Sequence, residues 1–196
     1  MVRVGEVKRK TGETDIDIKL NLDGEGNYEI ETGVGFFDHM LTLLSKHSLI
    51  DLKVKCKGDL EIDGHHTVED IGIALGKALS QALGDKSGIK RYGTSYVPMD
   101  EALGFVSLDL SGRGFLVLDA PFDMSKSIGE FDVELVEEFF RALATNGGIT
   151  LHAKVFYGRN HHHMVEALFK ALGRALREAV TKDEKIKGVM STKGIL

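Results

Sequence analysis

HHTVEDIGIALGKAL at residues 65–79 and HHMVEALFKALGRAL at residues 162–176 decide how this chain is read. Superposed on their paired histidines, the two stretches share a glutamate three places after the second histidine and the same spacing of Ala, Leu and Gly toward their ends. In the first, Val68, Ile71, Leu75, Leu79 and Leu83 recur at helical spacing, with Gly84 placed to cap the end. In the second, Val165, Leu168, Phe169, Leu172, Leu176 and Val180 fall on one side of a helix. The match extends outward. Strands LKVKC (52–56) and LHAKV (151–155) stay in step if a two-residue gap is allowed in the turn before the histidines, and FFDHMLTLL (36–44) then lies beside LVEEFFRAL (135–143). In that register His39 falls opposite Glu138. Ile16, Ile18, Leu20 and Leu22 alternate as a half-buried strand in the first half, as do Val106, Leu108 and Leu110 in the second. The expected fold is α+β, internally duplicated, with two βαβα-type repeats (about 1–90 and 91–196). No proline-rich or serine-rich linker divides them, so they are expected to pack as one domain.

Composition narrows the function. A chain of 196 residues, 42% hydrophobic and 28% charged, is ordinary for a globular protein and excludes a disordered tail or a fibre. Thirty acidic against 25 basic residues, a formal charge of -5, argue against a broad phosphate-backbone binding surface, so nucleic acid is not an expected partner. The one cysteine, Cys56, cannot form an internal disulfide. MVRVGEVKRK at the start lacks the apolar stretch of a secretion signal, and no apolar run approaches the ~20 residues of a membrane span. A soluble, cytoplasmic protein is expected.

Five of the eight histidines sit in two clusters, His65-His66 and His161-His162-His163. Residues four apart share a helix face and adjacent residues diverge by ~100°, so His65 with Glu69 and His162 with Glu166 make two chelating pairs. The middle histidines, His66 and His163, then point elsewhere, which suggests two metal sites with exchanged histidines. One is built on His65, Glu69 and His163, the other on His162, Glu166 and His66, with Glu138 and His39 as candidates for the remaining positions. Imidazole and carboxylate without thiolate point to Mn²⁺, Fe²⁺ or catalytic Zn²⁺ rather than structural zinc, and six-coordinate Mn²⁺ leaves positions for substrate. His161 reads as a cap or a solvent-facing residue. His152 lies on the strand face opposite Leu151, Ala153 and Val155. A second constellation, Arg91 in GIKRYG, Arg113 in DLSGRG and Lys193 in STKG, suits a phosphate monoester, with Lys170 one turn beyond Glu166. Two metals and a phosphate clamp also suit a phosphohydrolase, in which the clamp must lie beside the metals rather than away from them.

GVGFFDHM (33–40), GDLEIDGHHTVEDIGIALG (58–76), PMDEAL (98–103), DLSGRG (109–114), NHHHMVEALFKALGRALR (160–177) and STKGIL (191–196) together resemble the imidazoleglycerol-phosphate dehydratase family of histidine biosynthesis, over essentially the whole chain. The resemblance implies a duplicated fold like the second domain of ribosomal protein S5. It also implies two Mn²⁺ per active site and a homo-oligomer of 24 subunits with sites at subunit interfaces. It implies a small phosphorylated imidazole substrate and no membrane partner. By motif, the first metal falls to His39, His66, His162 and Glu166, and the second to His65, Glu69 and His163. The family's usual VEHFF reads VEEFF here, which puts Glu138 where the second metal's fourth ligand would be. Smaller departures are Gly64, often Asp in the family, and Gly114, often Pro.

In the family's reaction, imidazole glycerol phosphate loses water to give imidazole acetol phosphate. The proton that leaves sits on an unactivated carbon, so a side-chain base alone faces a high barrier, and metal bound at the ring nitrogens is what would lower it. Glu13 in RKTGET matches the family's candidate acid/base, and Glu69 and Glu166 complete the expected catalytic carboxylates. Arg91, Arg113, Ser191, Thr192 and Lys193 match the phosphate-holding positions. His39, His47 and Lys170, with Glu13, match substrate-contacting stretches.

Overall fold

Alternation along Thr14–Asn21 (β2) buries Ile16, Ile18 and Leu20 on one face and turns Asp15, Asp17 and Lys19 outward. In this computed structural model, which describes residues 3–195, that strand lies second in a four-stranded sheet. Met1 and Val2, which open MVRVGEVKRK, and Leu196, which ends STKGIL, lie outside the described residues. The first repeat runs Val4–Lys10 (β1), β2, Tyr28–Glu31 (β3), Gly35–Ser48 (α1), Asp51–Gly58 (β4) and His65–Leu83 (α2). The second runs Tyr92–Met99 (β5), Ala102–Asp109 (β6), Phe115–Asp119 (β7), a short hairpin of Ser127–Ile128 (β8) and Phe131–Asp132 (β9), Leu135–Gly147 (α3), Thr150–Tyr157 (β10) and His161–Val180 (α4).

Sheet orders are β1-β2-β4-β3 and β5-β6-β10-β7, and in each the last pairing is parallel while the others are antiparallel. The duplicated α+β architecture expected from the repeat is therefore present, with more strand in each repeat than the short βαβα form names. The strands at the parallel edges, β3 and β7, carry no run of buried alternating residues, and so leave little periodic signal in the sequence.

Helix α2 packs on β1, β2 and β4, helix α4 on β5, β6 and β10, and the helices meet across the repeats, α2 on α3 and α1 on α4. The result is a helical layer held between two sheets. Glycine permits the crossings. A Cβ on Gly76 would stand 2.7 Å from Gly147 N, and one on the repeat-equivalent Gly173 would stand 2.9 Å from Leu44 O. The shared Leu-Gly of the two long helices is thus what lets α3 and α1 approach. Phe139 stacks on Phe169 at 5.3 Å between ring centroids, inside one continuous cluster of buried side chains drawn from both repeats. Among the described residues no helix is long and apolar enough to cross a membrane.

Candidate active site

Asn160 starts α4: its side-chain oxygen accepts from His162 N at 2.9 Å, satisfying one of the otherwise unpaired N–H groups of the first turn. His162 and Glu166 then share a face, and the α1–α4 crossing brings His39 to them. One ligand atom from each of these three residues lies within 4.8 Å of the others. His39 Nε2 donates to Glu166 Oε1 at 2.7 Å, His162 Nε2 stands 3.8 Å from that oxygen, and Lys170 Nζ donates to Glu166 Oε2 at 3.0 Å. Lys170 also contacts Met99 Sδ. Burial raises the proton affinity of Glu166, but the hydrogen bonds from Lys170 and His39 outweigh it and hold the carboxyl below its usual range. A buried, ionised carboxylate between two imidazoles is a donor set that fits a divalent transition metal. Farther along α1, burial and the neighbouring charges of Lys170 and Arg174 keep the His47 imidazole below its ordinary range, and so neutral near pH 7.

The middle histidines do not join this group. His66 donates from Nδ1 to Asp59 Oδ2 at 3.0 Å, and its Nε2 stands 3.6 Å from Glu13 Oε1. His163 donates from Nδ1 to Glu101 Oε2 at 2.7 Å, with Nε2 3.8 Å from Asp100 Oδ2. Glu101 also accepts from Asn160 N and Arg159 N. With the His163 bond first, these hold its carboxyl down at about 2. Of the four residues expected at the first metal, one chain thus gathers His39, His162 and Glu166, while His66 is held elsewhere. The second set, His65, Glu69, His163 and Glu138, forms no comparably close group among the described residues. Glu138 lies on α3, the helix packed against α2, with its carboxylate 4.0 Å from Arg141. His161 accepts from Asp123 N, and His152 is exposed on β10.

A cavity of about 820 Å³ collects Arg91, Arg113, Ser191, Thr192 and Lys193, together with Ser111 and Tyr92. Arg91 does not reach into it as a free fork: Nε and Nη2 donate to Asp109 at 2.6 and 2.9 Å, and Nη1 donates to Met190 O at 2.7 Å. Its guanidinium thus stands at the wall of the cavity, tied to Asp109 on one side and to the 190s segment on the other. Arg113 and Lys193 are left as the exposed cationic side chains of the cavity.

A family profile described as imidazoleglycerol-phosphate dehydratase matches residues 32–176. The chain belongs to the imidazoleglycerol-phosphate dehydratase family. An imidazoleglycerol-phosphate dehydratase of Clostridium botulinum is 66% identical over 193 residues, covering 98% of each chain. The solved Staphylococcus aureus imidazoleglycerol-phosphate dehydratase superposes with a TM-score of 0.83 at 43% identity, over 92% of this chain and 99% of that one. The Pyrococcus furiosus enzyme gives 0.82 at 38% identity, over 97% and 100%. The chain is therefore an enzyme of the hydro-lyase class.

The partners of candidate site residues that sequence reasoning passed over are Asp59, Glu101 and Asp109. Each stands inside a quoted motif, yet none lies in the stretches that superpose on the paired histidines. Distance adds a further fact. The His39–His162–Glu166 group lies at the start of α4, whereas Arg91 N donates to Ala179 O at its end. A helix of 20 residues spans about 30 Å.

Proposed function

We propose that the chain converts imidazole glycerol phosphate to imidazole acetol phosphate, a step of histidine biosynthesis in the cytoplasm, with two Mn²⁺ in each active site. The observation that carries this reading is the group His39, His162 and Glu166, an imidazole–carboxylate donor set formed across the two repeats. Those three with His66 would hold one ion, and His65, Glu69, His163 and Glu138 the other. Bound Mn²⁺ supplies Lewis acidity toward the ring nitrogens of the substrate.

The reaction removes the hydroxyl on the carbon beside the ring and a proton from the next carbon, and the resulting enol tautomerises to the ketone. Glu13, carried on the β1–β2 hairpin beside His66, is the acid/base in this reading. Glu69 and Glu166 act from the ligand positions. Lys170 keeps Glu166 ionised, and neutral His47 offers a hydrogen bond without repelling Lys170. Arg91, Arg113, Ser191, Thr192 and Lys193 hold the phosphate in this reading, and Arg91 also ties the 190s segment in place. Anchoring the far end of the substrate spends binding energy on alignment of the ring.

The substrate's few bonds of about 1.5 Å make it no more than about 10 Å long, too short to reach from one end of α4 to the other. Ligand group and phosphate cavity must then come from different copies of the chain. A homo-oligomer, of 24 subunits in the family's pattern, with sites at interfaces, follows from this reading. Each copy is one domain made of the repeats 1–90 and 91–196. The test is purified protein with Mn²⁺ and imidazole glycerol phosphate. Formation of the ketone is expected, and release of inorganic phosphate in its place would overturn the reading in favour of hydrolysis.

A further inference from the structure

His66 and His163 are repeat equivalents, and both are held in the same way: Nδ1 donates to a carboxylate, and Nε2 faces a hairpin carboxylate from 3.6 Å (Glu13) or 3.8 Å (Asp100). The holding carboxylates are not equivalents. Glu101 belongs to the β5–β6 turn, one residue ahead of β6, which is the place Glu13 occupies ahead of β2. Asp59 comes instead from the segment after β4. In the register that sets Leu52 on Leu151, the position matching Asp59 is Gly158, and no side chain fits there, because a Cβ would stand 2.4 Å from Met164 Cγ.

The two repeats therefore solve one problem with different acids. In the second, the hairpin glutamate is spent on the imidazole. In the first, an additional aspartate takes that task, and the hairpin glutamate faces Nε2 from 3.6 Å without a close bond to the ring. Asp59 Oδ1 is buried with no hydrogen-bond partner among the described residues, so its bond to His66 is what offsets burial of this carboxyl.

We propose that Asp59 and Glu101 are positioning residues that present Nε2 of His66 and His163 for ligation, and that Asp59 thereby frees Glu13 for proton transfer. The proposal rests on the metal and acid/base reading given above. A carboxylate on one imidazole nitrogen fixes ring orientation and tautomer and raises the basicity of the other nitrogen, and loss of such a partner costs about 10–100-fold in metal affinity.

The experiment has three readouts on the full chain. In the metal-free protein, long-range ¹H–¹⁵N spectra at a pH where the rings are neutral should place the hydrogen of His66 and His163 on Nδ1. Hydrogen on Nε2 in the wild type overturns the positioning role, whatever the metal does. By direct Mn²⁺ titration, Asp59→Ala and Glu101→Ala should bind about 10–100-fold more weakly. Asp59→Asn and Glu101→Gln, whose carbonyl oxygens still accept from Nδ1, should recover most of that loss. Affinities within about twofold of wild type in both alanine variants, with unchanged circular dichroism, overturn it. At saturating Mn²⁺, Asp59→Ala should keep a kcat about tenfold below wild type with KM little changed, because Glu13, as Glu101 does in the second repeat, then takes the vacated Nδ1–H of His66 while Nε2 serves the metal. Full recovery of kcat would overturn the claim that Asp59 frees Glu13. Wild-type protein that takes up no Mn²⁺ would instead overturn the metal reading, and the spectra of the metal-free rings would still decide the positioning.

Discussion

On the outward face of the first repeat's sheet, Lys8 pairs with Asp17, Lys19 with Glu6, and Lys53 and Lys55 with Glu29. On the outward face of the second, Tyr96, Phe105 and Phe156 pack their rings together at 4.7–6.1 Å, and Tyr96 remains 58% exposed. The inward faces of the two sheets are alike, Ile16, Ile18 and Leu20 in one and Val106, Leu108 and Leu151 in the other. Inward positions must all bury apolar surface against helices, so duplication keeps them similar. Outward positions carry no such requirement and are free to serve different ends, a solvated ionic lattice on one side and an apolar patch suited to contact on the other. The hairpin acids divide in the same sense, Glu101 holding an imidazole while Glu13 is left available.

The largest expected effect on this comparison comes from removing metal. On the proposed interface site, with its metal ligands completed from different copies, chelation should abolish turnover and shrink the assembly, because metal binding and association are then linked. Activity and sedimentation measured after verified complete removal check this, and an unchanged particle that still turns over would break the shared-site picture.

Next come the phosphate positions, which ask whether two arginines from one cavity do one job. Arg113→Ala should raise KM for the substrate on the order of tenfold or more, the loss of a charged hydrogen bond. Arg91→Ala should first lower thermal stability, since it removes the clamp between Asp109 and Met190. Steady-state kinetics set beside melting curves separate the two roles. Equal KM effects at equal stability would merge them.

Repeat-equivalent positions give a sharper test. His39→Ala and Glu138→Ala should each weaken one of the two proposed Mn²⁺ sites by about tenfold or more, on the order of 1.4 kcal/mol. Glu138→His should restore its site, and Glu137→Ala, which loses only the pairing with Arg141, should change little. Occupancy at limiting Mn²⁺ decides it. Two ions retained per chain in Glu138→Ala would show that the equivalence with His39 does not extend to ligation.

The smallest effect belongs to the outer faces. Lys19→Ala, which breaks an exposed ion pair, should leave stability within about 0.5 kcal/mol of wild type. Tyr96→Lys should lower the assembled mass measured by light scattering if the aromatic face lies between copies. Equal, null results from both variants would remove any functional meaning from the contrast of faces.

What the sequence by itself determined is local and periodic. The four helices, the buried strands β2, β4, β6 and β10, the duplication and the approach of His162 to Glu166 all follow from spacing along the chain, where geometry is set by a few dihedrals per turn. Family motifs added Arg91, Arg113, Ser191, Thr192 and Lys193, which line one cavity. Edge strands β3 and β7 stayed illegible because they bury too little to leave a pattern. The tertiary structure alone decided which groups meet. His39 reaches Glu166 across 127 positions because Gly173 lets α1 and α4 close together. Arg91 pairs with Asp109, His66 is held by Asp59, and the His39–His162–Glu166 group and the cavity of Arg91 and Lys193 lie at opposite ends of α4. Such meetings depend on helix crossings and on competition between neighbouring side chains for one partner. Neither has a period in the sequence, so they become visible only once the packing is known.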